Sequence, residues 1–303
     1  MNDNEAIKHL EKTGQYRIIQ RLNIPDHYES GTPAALRIGI VLDTETTGLD
    51  TKKDKIIELG FIVFEYDASS GEIYRILHKY GGFEDPNEAL SDEVKQITGI
   101  TDEMLVGQKF DDSEINQWLE KSDVIIAHNA AFDRQMMERR LPVSCNARWA
   151  CTINDIDWSV EGIGSRSLDY IAYQLGYFFD GHRAVNDAEA TLQLLTQPLP
   201  ITGKLGMSVL LNKALKKSRR FFAVSAPFNK KGDLKARAYR WMADYSYVDQ
   251  YGKQKKGVWS KSVNEVDAEA EQQWLDESVY QGKSGVFTYT DTTAFERYSI
   301  REI

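Results

Sequence analysis

The stretch GIVLDTETTGLD, residues 39–50, decides how this chain is read. Ile40, Val41 and Leu42, following Ile38 and Gly39, make the β-branched and aliphatic run of a buried strand. The run ends abruptly in Asp43 and Glu45. Side chains alternate along a strand, so if the strand persists both carboxylates face one side of its sheet. Two like charges at the end of a buried strand are costly unless something positive meets them.

Working outward, the same kind of conflict recurs. "IIAHNAAFD" places Asp133 in the first turns of a helix just after a short apolar strand. "GHRAVNDAEAT" places Asp187 near the start of a further helix, with Ala190, Thr191 and Leu194 on its face at i+3, i+4 and i+7. That apolar face is the one expected to pack on the sheet. Asp43, Glu45, Asp133 and Asp187 therefore all point toward a region where carboxylates need compensation. Hard divalent cations held by oxygen ligands supply it, and Mg²⁺ suits a few carboxylates plus phosphate oxygens. Cys145 and Cys151 are the only cysteines, so a thiolate zinc site is excluded. The cluster suits two ions about 3.5–4 Å apart flanking a phosphodiester. His182, five residues before Asp187 on a connection, can reach an attacking water as general base.

The surrounding pattern predicts a mixed α/β domain. The strand ending at Asp43, "KIIELGFIVFEYD" and "EIYRILHKYGG" read as antiparallel neighbours. Helices are expected at "SDEVKQITG", "DSEINQWLEK", "NAAFDRQMMERRL", "SRSLDYIAYQLG" and "AVNDAEATLQLLTQ", with short strands at "SDVIIAHN" and "ARWACTIND". Residues 1–36 form a lead-in with partial helical spacing (Ile7, Leu10, Ile18, Ile19, Leu22) and the connection "NIPDHYESGTP". "QPLPITG" marks a boundary near residue 200, leaving 201–303 as a basic segment and a small C-terminal α+β domain. There, strands are expected at "FFAVSAPF", "GVWSKSV" and "GVFTYT", and helices at "DLKARAYRW" and "DAEAEQQWLDESVYQG".

Charge is unevenly spread over the 303 residues, whose net charge is −9. Residues 203–261 carry 15 Lys and Arg against 3 Asp and Glu, while residues 1–202 carry 19 against 34. The global sign therefore says nothing about nucleic acid, whereas the basic segment can meet phosphate. Its cations interleave with Phe, Tyr and Trp in "KALKKSRRFF" and "KKGDLKARAYRW". That composition fits sequence-tolerant single-strand binding, or equally a solvated helix face around an apolar core. No stretch approaches a ~20-residue membrane span, no signal-like apolar segment opens the chain, and two thiols suit a reducing cytoplasm.

"DTETTG", "HNAAFD" and "H-x-x-x-x-D", in this order, resemble the three motifs of the DEDD 3′–5′ exonuclease superfamily, histidine subtype (DEDDh, DnaQ-like). Within it the likeness is to the proofreading epsilon subunit of bacterial DNA polymerase III and its stand-alone relatives. The likeness covers roughly 38–196, and "ITGIT" at 97–101 adds a family substrate-contact segment. It implies a ribonuclease-H-like mixed sheet flanked by helices, with the exonuclease domain at 37–200. It also implies two Mg²⁺ (or Mn²⁺) ions on Asp43, Glu45 and Asp187, with Asp133 a ligand partly through water, and His182 as general base. Thr44, Thr46, Thr47, Gly48 and Leu49 would hold the terminal nucleotide, with Thr98, Asn129 and Phe132 beside it. The implied activity is release of nucleoside monophosphates from DNA 3′ ends, single-stranded or frayed, with a polymerase or repair partner. An RNA exonuclease of the same superfamily and a nucleic-acid-tethering, polymerase-associated subunit are the alternatives. Taken singly, Asn129 reads as a helix cap, Phe132 equally as core, and Glu58 in "KIIELG" as either a neighbour of the site or an edge residue.

Overall fold

The structure is a computed structural model that describes residues 3–29, 31–249, 251–282 and 286–299. It divides into two compact units, residues 1–214 and 215–303.

The first unit is built on a five-stranded mixed sheet. Its strands are β1 (Leu36–Thr46), β2 (Ile56–Asp67), β3 (Ile73–Phe83), β4 (Val124–Ala127) and β5 (Trp149–Cys151). Their order is β3-β2-β1-β4-β5. The first three are antiparallel neighbours, while β4 pairs parallel to β1 and β5 parallel to β4. This is the ribonuclease-H-like mixed sheet with flanking helices. β2 is buried along nearly its whole length, as its near-continuous apolar run requires.

The longer helices of this unit are α1 (Asp3–Lys12), α2 (Asp92–Thr98), α3 (Asp112–Lys121), α4 (Ala130–Arg140), α5 (Leu168–Leu175), α6 (Ala184–Thr196) and α7 (Gly206–Ala214). Ser91 caps α2 by accepting the Val94 N–H, and Gly99 ends it in the left-handed region. Asp111 caps α3 in the same way through Glu114. α6 packs across β1 and β2, and α4 against β4 and β5. Val41, Ile62, Phe64 and Ile126 from the sheet share one core with Ala188, Leu192 and Leu195 of α6.

Three expectations change. Only the first part of the lead-in is helical; Gln20–Arg21 instead pairs in parallel with Tyr177–Phe178, and Arg17 bonds the carbonyls of Tyr173 and Gln174. The first unit runs on to Ala214, because Met207, Leu210, Leu211 and Ala214 of α7 enter its core. Gly206 permits this approach, since a Cβ there would stand 2.7 Å from the Leu194 carbonyl oxygen. In the second unit the helix expected across "DLKARAYRW" stops at Ala236. Ala238 turns the chain at φ 68°, and a strand begins at Arg240.

That second unit is an antiparallel sheet of β6 (Ser218–Ala223), β7 (Arg240–Val248), β8 (Gln254–Asn264) and β9 (Thr288–Thr292), in the order β9-β6-β8-β7. Helices α8 (Lys231–Ala236) and α9 (Ala268–Trp274) accompany it, giving an α+β unit. Phe221, Leu234, Tyr239, Leu275, Val279 and Phe287 form its core. Ser30 of the expected connection and Gly285 of "GVFTYT" lie outside the described residues.

Candidate active site

β1 persists through both carboxylates, so Val41, Asp43 and Glu45 share one face. In the ladder with β2, Val41 lies opposite Ile62, Asp43 opposite Gly60 and Glu45 opposite Glu58. This is the face that α6 crosses. Gly60 makes the crossing close: a Cβ there would sit 2.3 Å from the Ala184 carbonyl carbon and the Val185 nitrogen. The absent side chain lets the first turn of α6 rest on the strand beside Asp43. Asp187, on that turn, thereby meets the two carboxylates of β1. Oxygens of Asp43, Glu45 and Asp187 all lie within 4.8 Å of one another.

The fourth carboxylate arrives from α4. Asp133 is buried and accepts a 2.8 Å hydrogen bond from the Thr44 hydroxyl. Thr44 thus faces Asp133 rather than presenting its hydroxyl to solvent. The electrostatics follow from crowding in a poorly solvated place. Burial raises the Asp43 carboxyl well above the ordinary range, and the charges of Asp133, Asp187, Glu45 and Glu58 raise it further. Glu45 is pushed up to about 8, by burial first and Asp187 next. Burial takes Asp133 to about 7 against the opposing Thr44 bond, and Asp187 to about 6 against the Arg183 N–H and the charge of His182.

Glu58 is the residue that sequence reasoning left open. It is 3% exposed, accepts from Arg183 Nε and Nη2 at 2.9–3.2 Å, and accepts the Ala184 N–H at 3.2 Å. It therefore fixes the start of α6, while the Arg183 N–H reaches Asp187 Oδ2 at 3.1 Å. A glutamate directly after two isoleucines near the start of a buried strand was the available signal; its arginine partner, 125 positions away, was not visible.

His182 lies exposed on the turn before α6, at a left-handed φ of 61°. Thr46 donates to the Gly48 carbonyl at 2.6 Å, and the Thr47 hydroxyl accepts the Lys55 N–H at 3.0 Å. Gly48 packs against Asp54, and Leu49 is 87% exposed at the tip. The Thr51 hydroxyl ties this loop to Gln135 of α4. Asn129 stands at the N-terminus of α4 without a side-chain cap bond, and Phe132 is half-buried one turn on. Thr98 is buried, with its hydroxyl bonded to the Val94 carbonyl and the Ile100 N–H. Thr98 is thus occupied within its own helix end.

The donor set is all oxygen, crowded and raised in pKa. Arg183, whose charge acts on Glu45, is already engaged by Glu58. These residues fit hard divalent cations. The cradle lies at the end of β1, the central strand of the mixed sheet. Residues 40–195 match the model of the RNase T exonuclease family, and the chain belongs to that family.

Among relatives, DNA polymerase III PolC-type of Thermotoga petrophila is 30% identical over 256 residues, covering 77% of this chain and 17% of its own length. The same protein of Thermotoga maritima is 30% identical over 234 residues, covering 70% and 16%. The chain spans about a sixth of these relatives. Among solved structures, exonuclease X in complex with 5′-overhanging duplex DNA is 21% identical at a TM-score of 0.41, covering 56% of this chain and 99% of that one. A full-length 3′-exonuclease is 16% identical at 0.43, covering 59% and 66%.

Proposed function

We propose that the chain is a divalent-cation-dependent 3′–5′ exonuclease acting on DNA 3′ ends, single-stranded or frayed, and releasing nucleoside monophosphates. The observation that carries the reading is the cluster of Asp43, Glu45 and Asp187 oxygens within 4.8 Å, with Asp133 alongside on Thr44. Two cations, Mg²⁺ or Mn²⁺, would be held by Asp43, Glu45, Asp187 and Asp133, and would supply the charge that makes a phosphodiester electrophilic and its attacking water acidic.

The chain's own residues do the rest. His182, exposed beside Asp187, takes the proton of the water that attacks phosphorus. The bond from phosphorus to the 3′ oxygen breaks, leaving a 3′-hydroxyl on the shortened strand and a 5′-monophosphate on the released nucleoside. The ordered loop Thr46–Leu49, with Asn129 and Phe132, forms the rim against which the terminal nucleotide rests. Thr44 works behind the cradle by holding Asp133. The absence, among the described residues, of any helix long and apolar enough to cross a membrane is compatible with the cytoplasmic setting we assign. The names of the polymerase relatives favour work alongside a polymerase, with a repair partner as the alternative.

The test is product analysis on 5′-labelled DNA and matched RNA with Mg²⁺, Mn²⁺ or EDTA. A ladder shortening from the 3′ end, dependent on the cation and faster on DNA, is expected; labelled strands of unchanged length with both cations would sink the reading. Faster trimming of RNA would move the substrate to RNA. His182→Ala should lower kcat by about 10²–10⁴-fold while cation binding persists, whereas Asp187→Ala should lose both. Equal loss of cation binding in the two variants would remove His182 from the role of base.

A further inference from the structure

The basic surplus of the chain lies in residues 203–261, and within the second unit part of it surrounds an aromatic cleft. The cleft has a volume of about 420 Å³ and lies between the turn after β6, helix α8 and the β7–β8 pair. Trp241 and Trp259, cross-strand neighbours, form its floor with ring centroids 5.4 Å apart, edge to face. The Tyr247 hydroxyl is pinned by the Ser225 N–H at 2.8 Å. Phe228 stands on the rim, 87% exposed, and Trp241 is 53% exposed.

Gly257 builds this floor. Its φ is 88°, and a Cβ there would come within 2.1 Å of the Trp241 ring. The backbone thus yields so that an indole can lie against β8, where the ladder shifts register between Lys256 and Val258. Exposed rings held in place by a glycine and a bulge present their faces to something outside the unit.

The charges indicate what. Among the described residues no carboxylate lines the cleft, and Lys231 and Lys235 do. Nearby Lys230, Lys255 and Lys256 are paired with Asp233, Asp249 and Asp244. Among the described residues, Lys231 and Lys235 have no carboxylate partner. Flat faces beside cations that have no carboxylate partner, Lys231 itself 5.8 Å from the centre of the Phe228 ring, match unstacked bases on a phosphodiester backbone. A duplex offers phosphates but keeps its base faces stacked inside.

We propose that this cleft binds single-stranded DNA, with Phe228, Trp241 and Tyr247 stacking bases and Lys231 and Lys235 meeting phosphates. The choice of DNA over RNA rests on the proposed function; the choice of single strand rests on the cleft alone.

The test uses the full chain in EDTA, so that binding is read without hydrolysis, and the anisotropy of a fluorescein-labelled oligo(dT). Phe228→Ala is expected to weaken binding about tenfold, as base–aromatic stacking does. Lys231→Ala with Lys235→Ala should flatten the plot of log K against log salt by about 1.4, at about 0.7 per phosphate on a single strand. Lys8→Ala with Lys12→Ala removes the same charge from α1, where both lysines are exposed, and should leave the slope unchanged. Thermal melts verify that each variant is folded. Wild-type affinity and slope in both cleft variants overturn the proposal, as does equal competition by a blunt duplex. Tighter capture of a matched ribo-oligonucleotide overturns the assignment to DNA. Because no turnover is measured, a failure of the exonuclease assay and a failure here are separate results.

Discussion

Glu58 lies opposite Glu45 in the ladder, yet its oxygens face Arg183 and the Ala184 N–H and are taken up by the start of α6. It is a positioning residue, acting on Asp187 through the turn that carries it. Glu58→Ala should lower cation affinity and activity by about 10–100-fold, as removal of a ligand's support does. Glu58→Gln, which keeps an acceptor for the Ala184 N–H, should recover part of the affinity. Wild-type cation affinity in Glu58→Ala, read by titration calorimetry, would exclude the role. His128 is a second buried group, bonded to Thr152 Oγ1 at 2.7 Å and the Arg166 carbonyl at 2.8 Å. Burial lowers its pKa to about 4. The unfolded chain therefore takes up a proton below about pH 6.5 that the folded chain refuses. Stability from this residue is complete above about 6.5 and declines as pH falls toward 4, by about 3 kcal/mol in all. Denaturant melts of the protein and of His128→Asn should diverge over that window, and a constant difference would contradict it. The carboxylates were legible in the sequence because burial and charge conflict within a few residues. The Thr44–Asp133 bond was not, because it joins residues 89 positions apart.

At the scale of elements, the site depends on how closely α6 approaches β2. Gly60→Ala places a methyl group where the backbone of Ala184 and Val185 already stands. Backbone cannot move aside as a flexible side chain does, so α6 must lift and carry Asp187 away from Asp43. The expected cost is about 1–3 kcal/mol of stability, typical of overpacking, with a loss of cation affinity larger than the fall in Tm alone explains. Retained cation affinity in a destabilised Gly60→Ala would show that the helix start does not set the cluster. The elements of the first sheet were readable because their apolar runs are long and their turns are marked. β7 was not: its residues are largely exposed, and the alternation of Asp244, Tyr245, Ser246 and Tyr247 spans too few positions to outweigh the basic run before it. The left-handed Ala238 that separates it from α8 is a residue type that gives no warning of such a turn.

For the whole molecule, the boundary at "QPLPITG" was placed by its prolines and glycine, yet the apolar face of α7 belongs to the first core and moves the division to residue 214. Composition marks where a chain turns; only packing marks where a core ends. The consequence is that the acidic cradle and the aromatic cleft belong to different compact units, each with its own core. A ligand that binds one folded unit stabilises that unit by mass action. Mn²⁺ at a hundredfold excess over its Kd is worth about 2.7 kcal/mol, and for a unit near 200 residues each kcal/mol moves Tm by about 2–4 °C. Calorimetry of the full chain should therefore show one transition rising by about 5–11 °C with Mn²⁺, while hydrogen–deuterium exchange of peptides from β6–β9, followed against temperature, reports a midpoint that moves much less. Asp187→Ala should abolish the shift of the first transition. A single transition that moves as a whole, by both probes, would show instead that the two units unfold as one.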